Sequence, residues 1–471
     1  MRFAKSPEYD VPALKPVHQS HTQVAMYTTK ALNDHMYGKE HVEAPPNMMW
    51  PKLRQSKHSL NTVNPVRKIA DACAIPHNPE KKPIRLHLGD PTLGGELPAS
   101  PVAIQALHEA IDSHASNGYG PAVGSLAARQ AIVDKYSTSA APFTVNDVVL
   151  ASGCSHALQM AIEAIADPGD NILVPHPGFP LYSTLCRPHG IIDKAYRIDM
   201  ENNDVVIDLG FLKSLVDDRT KAIIINNPGN PTGGVFSKHH LRQILQFALE
   251  YGLVIIADEI YGDLVYNGAK FHPIATLSPK VPVITCDGIA KRWMVPGWRL
   301  GWLVIHDRYN ALADVRKGIV ALSQKIVGPC SLVQGALPKI LRETPESYFQ
   351  HNRKFIEKNA NIVERILGKV NGIKVIKPCG AMYMMIAIEK KHYGGDVEFC
   401  QGLIAEQSVF CLPGEAFSAG GYFRVVLTCS HDEMTEAAKR IKHFCIDHYI
   451  ERDDSEESSD EGLDLSQVEL D

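Results

Sequence analysis

A lysine and an arginine lie eight residues apart in a segment that follows an apolar run. The segment reads DGIAKRWMVPGWRLGW (287–302), and the two cations are Lys291 and Arg299. A lysine at the end of a buried strand can supply an amine nucleophile, and an arginine can bind a phosphate through two parallel hydrogen bonds. The segment therefore predicts a site where an amine reacts beside a bound anion.

Three further segments place small or polar residues at the end of an apolar run. In SGCSH (152–156) small residues allow backbone amides at a helix start to face an anion. In NNPGNPTGG (226–234) a rigid loop could aim the Asn230 amide at a ligand. In DEIYGD (258–263) a strand ends in Asp258, which is costly to bury without a partner; Tyr261 can lie on the same side. Since ligands gather at strand ends in open α/β sheets, the four segments predict one site.

The apolar runs that precede these segments predict the elements that position them. They are VNDVVLAS (145–152), NILVP (171–175), KAIIINN (221–227), LVIIAD (253–258) and VPVITC (281–286). Helical segments lie between some of them, including 237–251 with Ser237 as its N-cap. This alternation predicts a mostly parallel sheet that is buried on both faces. After Glu343 a long helix (347–367), separated strands (373–377, 382–388 and 423–428) and a last helix (431–449) predict an α+β segment.

Composition excludes several classes of protein. The 471 residues are 45% hydrophobic and 21% charged, which is typical of a globular protein and not of a disordered one. No apolar run approaches the ~20 residues of a membrane helix. The net charge is −5, yet residues 451–471 alone carry −9, so the remainder carries only +4 and shows no footprint for nucleic acid. The ten cysteines have no metal-binding spacing, which favours reduced thiols and no metal site.

The two ends of the chain differ from the body. Residues 1–58 are polar and predict a poorly ordered extension, with an arm docked on the body as the alternative. Residues 451–471 predict an acidic disordered tail; a kinase site at its serines or a turnover signal is the sharper alternative. The first residues lack a secretory signal, which favours the cytosol, with a mitochondrial location as the alternative.

From about residue 61 to 449 the chain resembles the fold-type I pyridoxal-phosphate-dependent aminotransferases. The resemblance rests on the segments above and on LGDPTLGGELP (88–98), NGYGPAVGSLAAR (117–129), ILVPHPGFPLY (172–182), GAMYMM (380–385) and AEQSVFCLPG (405–414). The long runs are most similar to the branch that acts on tyrosine. The resemblance implies an α/β fold, in which a large domain with a mostly parallel seven-stranded sheet (98–345) adjoins a smaller α+β domain (346–450). Residues 59–97 would form an N-terminal arm and part of the small domain.

The resemblance also implies a role for residues around the pyridoxal phosphate ring. Lys291 would bind the cofactor covalently and then shuttle a proton, for which it must be a neutral amine. Asp258 would pair with the pyridine nitrogen. Tyr261 and Asn230 would hydrogen-bond the phenolic oxygen, and Phe179 would stack on the ring.

Further residues are implied to bind the phosphate and the substrate. Arg299 would hold the phosphate together with the turn formed by Cys154, Ser155 and His156. Tyr119 would reach the phosphate from the second subunit of a homodimer with shared active sites. Arg424 would bind the substrate α-carboxylate, helped by Gly89 and with Asn230 beside it. One position departs from many relatives, since Gly288 stands where they have a hydroxyl three residues before the lysine.

The implied reaction moves the amino group of L-tyrosine, and of other aromatic amino acids, to 2-oxoglutarate in a ping-pong cycle. The products would be 4-hydroxyphenylpyruvate and L-glutamate, as in the first step of tyrosine catabolism. Transamination of kynurenine or alanine, and β-elimination from a cysteine conjugate, are the alternatives with the same cofactor, because spacing does not determine side-chain specificity. A regulator without activity is disfavoured, since Lys291 is present and residues 1–60 show no helix-turn-helix pattern.

Overall fold

A computed structural model describes residues 53–66, 75–200, 205–278 and 280–451. The predicted extension therefore lies outside the described residues as far as residue 52, and the predicted acidic tail lies outside them from residue 452. The division into domains at residues 97, 345 and 450 stays a prediction.

Eight of the strands coincide with strands predicted from the sequence, and the other six have no predicted counterpart. In chain order they are β1 (Ile84–Arg85), β2 (Val148–Ala151), β3 (Asn171–His176), β4 (Ile192–Asp199), β5 (Val206–Ile207), β6 (Thr220–Asn226), β7 (Val254–Asp258), β8 (Val283–Gly288), β9 (Gly301–His306), β10 (Ile373–Val375), β11 (Tyr383–Ile388), β12 (Val409–Phe410), β13 (Leu412–Pro413) and β14 (Tyr422–Val426).

The large sheet has the order β2-β9-β8-β7-β6-β3-β4-β5. The pairs from β4 through β3, β6 and β7 to β8 are parallel, while β9 runs antiparallel to both β8 and β2. The mostly parallel sheet that the sequence predicts is confirmed. An eighth strand joins the seven expected ones, because the two-residue β5 pairs antiparallel with the end of β4.

The register of the central strands brings their carboxyl ends to one level. Asn226 at the end of β6 pairs with Asp258 of β7, and Asp258 pairs in turn with Cys286 of β8. Because these strands are parallel, the loops that follow them leave the same edge of the sheet. The segments 226–234, 258–263 and 287–302 therefore meet there, as the sequence predicts.

Helices cover the sheet and join its strands. In chain order the α-helices are α1 (Lys57–Asn61), α2 (Pro101–Asp112), α3 (Leu126–Tyr136), α4 (Cys154–Ile165), α5 (Leu181–Cys186), α6 (Leu209–Ser214), α7 (Lys238–Tyr251), α8 (Ala313–Ser323), α9 (Ser331–Glu343), α10 (Glu346–Leu367), α11 (Lys390–Tyr393), α12 (Asp396–Gln407) and α13 (His431–His448). Ser237 caps α7 as predicted, since its side chain accepts a hydrogen bond from the His240 amide.

The part of the chain after Glu343 forms a second, antiparallel sheet, and the predicted α+β pattern is confirmed there. Its order is β10-β11-β14-β13. In this sheet Met385 of β11 and Leu412 of β13 both pair with Arg424 of β14. Arg424 therefore lies on a central strand, where its side chain is buried and not at an edge.

Three properties of the fold bear on the expectations from composition. No α-helix in the described residues is long and apolar enough to cross a membrane. None of the nine cysteines that the structure describes forms a disulfide. The same residues contain no group of three or more His, Cys, Asp or Glu side chains placed to hold a metal ion.

Candidate active site

Asp258 lies at the end of β7 with its side chain buried. The Tyr182 hydroxyl donates to Asp258 Oδ2 over 2.7 Å, and the Ile260 amide and the Cys154 thiol approach Oδ1 at 3.4 and 3.6 Å. Burial raises the pKa of the Asp258 carboxyl, and the hydrogen bond from Tyr182 opposes that increase. No cation pairs with this carboxyl among the residues described, so it is available to a cationic group of a ligand.

Asn226 holds the 226–234 loop against the end of β7. Its amide Nδ2 donates to the Asp258 carbonyl over 3.1 Å, and its Oδ1 accepts from the Asn230 backbone amide over 2.7 Å. The Asn230 side chain is thereby aimed at the second sheet, where its Oδ1 accepts from the Arg424 guanidinium over 2.8 Å. The loop thus joins the carboxyl edge of the large sheet to β14.

Arg424 is a buried cation, 4% exposed. Its guanidinium donates to Asn230 and, over 2.8 Å, to the His87 carbonyl, whereas its Nε has no partner. The rings of Tyr383 and Phe417 lie 4.4 and 4.5 Å from its Cζ atom. Burial lowers the pKa of Arg424, and no carboxylate pairs with it within the part of the chain that the structure describes. A buried guanidinium with unused donors is well suited to bind a carboxylate ligand.

Lys291 follows β8 and faces the segment after β1. Its Nζ donates to the Gly89 carbonyl over 2.6 Å. A Cβ on Gly89 would lie 2.6 Å from the Tyr383 hydroxyl, so a larger residue at position 89 would displace the Tyr383 side chain. Gly89 therefore contacts the Lys291 amine, and His87, two residues before it, contacts the Arg424 guanidinium.

A buried ion pair braces the turn that carries Lys291. Arg292 NH2 donates to Asp287 Oδ2, and the Gly288 amide donates to Asp287 Oδ1 over 2.6 Å. Close packing against β9 and the residue before it explains why position 288 is a glycine, because a Cβ there would lie 2.7 Å from the Leu300 carbonyl oxygen. A hydroxyl-bearing side chain does not fit at 288 without moving β9.

The start of α4 lies at the turn that the sequence predicts to bind an anion. Gly153 has φ +78°, and a Cβ on it would lie 2.4 Å from Arg299 NH2. Arg299 is exposed, and its guanidinium donates to the Ser152 carbonyl over 3.3 Å. The amides of Cys154 and Ser155 start the helix and lack intrahelical acceptors. An arginine and free helix amides at one point suit a phosphate.

His156 has a structural role in this turn. Its Nδ1 accepts a hydrogen bond from the Ser152 amide over 3.2 Å. Burial lowers the pKa of the ring, so the ring adds no positive charge at neutral pH.

Two further site residues were expected from the sequence. Phe179 is half-buried and packs edge-on against Tyr182, with ring centroids 6.1 Å apart. Tyr119 is 96% exposed in the single chain, so its role at a neighbouring subunit stays a prediction.

Sequence reasoning missed two tyrosines of the site. Tyr182 supports Asp258, and the Tyr383 hydroxyl lies 2.7 Å from the Tyr261 hydroxyl. Tyr261 itself is buried, and burial raises its pKa well above the usual range. Both tyrosines lie in segments that the sequence analysis singled out, since Tyr182 is three residues after Phe179 and Tyr383 belongs to GAMYMM (380–385). The sequence of these segments does not indicate which group each hydroxyl contacts.

A second group of carboxyls lies beside the site. Glu259 is buried, accepts from the Ile274 amide over 2.9 Å, and lines a cavity of about 190 Å³ with Asp287 and Arg292. Burial raises the pKa of Glu259 to about 8 and that of Asp287 to about 6. At neutral pH Glu259 is therefore mostly protonated.

We expect Glu259→Gln to remove part of the pH dependence of folding stability. Because the folded-state pKa of Glu259 is raised, its contribution is fully present below the unfolded pKa near 4.5 and is lost as pH rises towards 8. The free energy of unfolding of the unchanged chain should fall relative to the variant, by at most ~1.4 kcal/mol per pH unit in that window. Melting temperatures of both proteins from pH 5 to 9 measure this difference.

The exposed Glu398 supplies the control, because Glu398→Gln makes the same substitution outside the cavity that Glu259 lines. Parallel melting curves for the unchanged chain and Glu259→Gln across pH 5–9 would contradict the raised pKa of Glu259.

The sequence of the chain is similar to one family of known proteins. Residues 81–441 match the family described as aminotransferase class I and II. A tyrosine aminotransferase of Caenorhabditis elegans is 70% identical over 422 residues, covering 90% of this chain and 91% of that protein. The human tyrosine aminotransferase is 45% identical over 412 residues, covering 87% and 90%.

A solved structure agrees with the sequence comparison. The tyrosine aminotransferase from Leishmania infantum superposes with a TM-score of 0.82 at 31% identity, covering 85% of this chain and all of that one. The resemblance seen in the sequence and the fold that it implies are both confirmed. The chain belongs to the class I and II aminotransferase family and is an amino-group-transferring enzyme.

Proposed function

We propose that the chain transfers the amino group of L-tyrosine to 2-oxoglutarate, with pyridoxal phosphate as its cofactor. One observation carries the proposal: the amine of Lys291 and the buried guanidinium of Arg424 both contact the 87–89 segment, through the carbonyls of Gly89 and His87. An amine nucleophile and a carboxylate-binding cation at one point are what an amino acid substrate requires. The similarity to tyrosine aminotransferases of other organisms supports tyrosine as the donor.

The residues at the sheet edge fit pyridoxal phosphate. Asp258 is a buried carboxyl that can pair with the protonated pyridine nitrogen, and the buried side chains of Tyr261 and Asn230 would hydrogen-bond the phenolic oxygen. Arg299 and the α4 start suit the phosphate, and Phe179 offers an aromatic face. When bound, the cofactor supplies an electron sink for the charge that develops on the substrate Cα.

Each residue then has a distinct task. Lys291 holds the cofactor and later carries a proton to and from the substrate Cα, which requires its neutral form. Arg424 binds the α-carboxylate in a two-pronged contact, and Asn230 orients the guanidinium by the hydrogen bond to its Oδ1. Asp258, supported by Tyr182, keeps the pyridine nitrogen protonated.

The assembly and location belong to the same proposal. The exposed side chain of Tyr119 suits a residue that reaches the phosphate of a second subunit, which makes the enzyme a homodimer with shared sites. We place the enzyme in the cytosol, where it would start tyrosine breakdown. We expect no nucleic acid, membrane or metal to take part in this function.

Product analysis tests the proposed reaction. The purified enzyme is supplied with pyridoxal phosphate and incubated with L-tyrosine and 2-oxoglutarate, and 4-hydroxyphenylpyruvate and L-glutamate are quantified. We expect equal amounts of both products and no release of ammonia. L-alanine, L-kynurenine and a cysteine conjugate serve as competing donors in separate reactions. A higher kcat/KM for any of them, or pyruvate and ammonia formed without an oxo acid, would contradict the proposal.

A further inference from the structure

Tyr383 lies between Tyr261, which follows β7 of the large sheet, and Arg424, which lies on β14 of the second sheet. It starts β11, is 2% exposed, and contacts three functional groups. Its hydroxyl lies 2.7 Å from the hydroxyl of Tyr261, and its ring centroid lies 4.4 Å from the Arg424 Cζ. The same hydroxyl occupies the space that a Cβ on residue 89 would need. No role for Tyr383 follows from the reaction described above.

We propose that Tyr383 is a positioning residue with two separable contacts: its hydroxyl donates to Tyr261, and its ring holds the Arg424 guanidinium in place. The proposal rests on the proposed function, in which Tyr261 binds the phenolic oxygen of pyridoxal phosphate and Arg424 binds the substrate carboxylate.

The direction of the hydroxyl contact follows from counting protons. A phenol has one proton to donate, so Tyr261 can donate either to the cofactor oxygen or to Tyr383. When the cofactor oxygen takes the Tyr261 proton, the short contact between the two hydroxyls requires Tyr383 to be the donor. A hydrogen bond accepted by the Tyr261 oxygen polarises its O–H bond and makes it a stronger donor.

The ring contact follows from the register of the second sheet. Arg424 pairs directly with Met385, and Tyr383 lies two residues before Met385 on the same face of β11. Diagonal neighbours on one face are within reach of large side chains. The Tyr383 ring on one side and the Phe417 ring at 4.5 Å therefore fix the plane of a guanidinium whose Nε has no partner.

Two substitutions separate the contacts. Tyr383→Phe keeps the ring and removes the hydroxyl, which weakens Tyr261 as a donor to the negatively charged form of the bound cofactor. We expect the pH midpoint of the cofactor's visible absorption change to rise by about half a unit. The affinity for 3-(4-hydroxyphenyl)propanoate, a carboxylate without the amino group, should change less than about twofold.

Tyr383→Leu removes the ring as well. We expect the dissociation constant of 3-(4-hydroxyphenyl)propanoate and the KM for L-tyrosine to rise about tenfold, because the guanidinium loses one of its two flanking rings. Two charged groups also act on Tyr261: Asp258 raises the pKa of its hydroxyl, and Arg424 lowers it. Both groups are unchanged in Tyr383→Phe and in Tyr383→Leu.

Two control variants make the outcomes decisive. Tyr196→Phe removes another buried hydroxyl, which donates to the Ile224 carbonyl over 2.7 Å, and should leave both the midpoint and the affinity unchanged. Tyr261→Phe should raise the midpoint more than Tyr383→Phe does. If Tyr261→Phe shifts the midpoint and Tyr383→Phe does not, the inference about the hydroxyl is wrong. If neither shifts it, the proposed cofactor position is wrong. Equal carboxylate affinity in Tyr383→Phe and Tyr383→Leu would overturn the ring contact.

Discussion

Lys291→Ala should lower the rate of tyrosine transamination by at least about 10⁴-fold, because in the proposed reaction this one residue is both the nucleophile and the proton carrier. The loss should appear in kcat and not only in KM, since Lys291 acts on the reacting atoms. The fold should survive, because the amine's hydrogen bond goes to a backbone carbonyl, that of Gly89, and not to a buried carboxylate. Initial rates with saturating L-tyrosine and 2-oxoglutarate measure the effect.

Lys135→Ala is the matched control for this experiment. Lys135 is exposed, but like Lys291 it donates to a backbone carbonyl, that of Leu341, over 3.0 Å through a partly buried hydrogen bond. We expect the control variant to keep its activity within a few-fold. A Lys291→Ala enzyme as active as the Lys135→Ala enzyme would overturn the assignment of the nucleophile.

Arg424→Ala has the second largest expected effect, and it falls on the substrate. Truncating one partner of a buried, hydrogen-bonded charge pair costs about 2–5 kcal/mol. That cost corresponds to roughly a 30- to 5000-fold loss in kcat/KM for L-tyrosine. The cofactor should stay bound, because the Arg424 contacts described here go to Asn230, His87 and two aromatic rings and not to the α4 turn.

Two comparisons show that the effect concerns the carboxylate. Arg424→Lys keeps the charge but loses the two-pronged geometry, so it should restore only part of the affinity. L-tyrosine amide, which has no carboxylate, should bind the unchanged enzyme and the variant with similar affinity. Loss of the cofactor with unchanged tyrosine affinity would mean that Arg424 belongs to the cofactor site instead.

The sequence predicted the elements that place the site better than the contacts inside it. Asp258, Asn230 and Lys291 could be found because each follows an apolar strand, and parallel strands bring their carboxyl ends together. Three strands of the large sheet, β4, β5 and β9, were not predicted from apolar runs, and β5 has only two residues, which carry no periodic signal. The family resemblance implied seven strands in the large sheet. The structure has eight, and β5 is the additional one.

Side-chain partners depend on how the second sheet packs, and no local pattern contains that information. The Tyr261 and Tyr383 hydroxyls are 122 residues apart in sequence, and Lys291 is 202 residues from Gly89. His156 shows the same limit on a short scale, because its type suggests a charge while its ring accepts from the Ser152 amide. The role of Tyr119 depends on a second subunit and remains a prediction.

The absorbance of the bound cofactor during a half-reaction tests the central claim most directly. The purified enzyme with pyridoxal phosphate is mixed with L-tyrosine alone, the visible band is recorded, and 2-oxoglutarate is then added. We expect the band to fall with L-tyrosine and to return with 2-oxoglutarate, because the amino group stays on the enzyme between the two steps. A band that L-tyrosine leaves unchanged, while L-alanine or L-kynurenine removes it, would contradict the assignment of tyrosine as the amino donor.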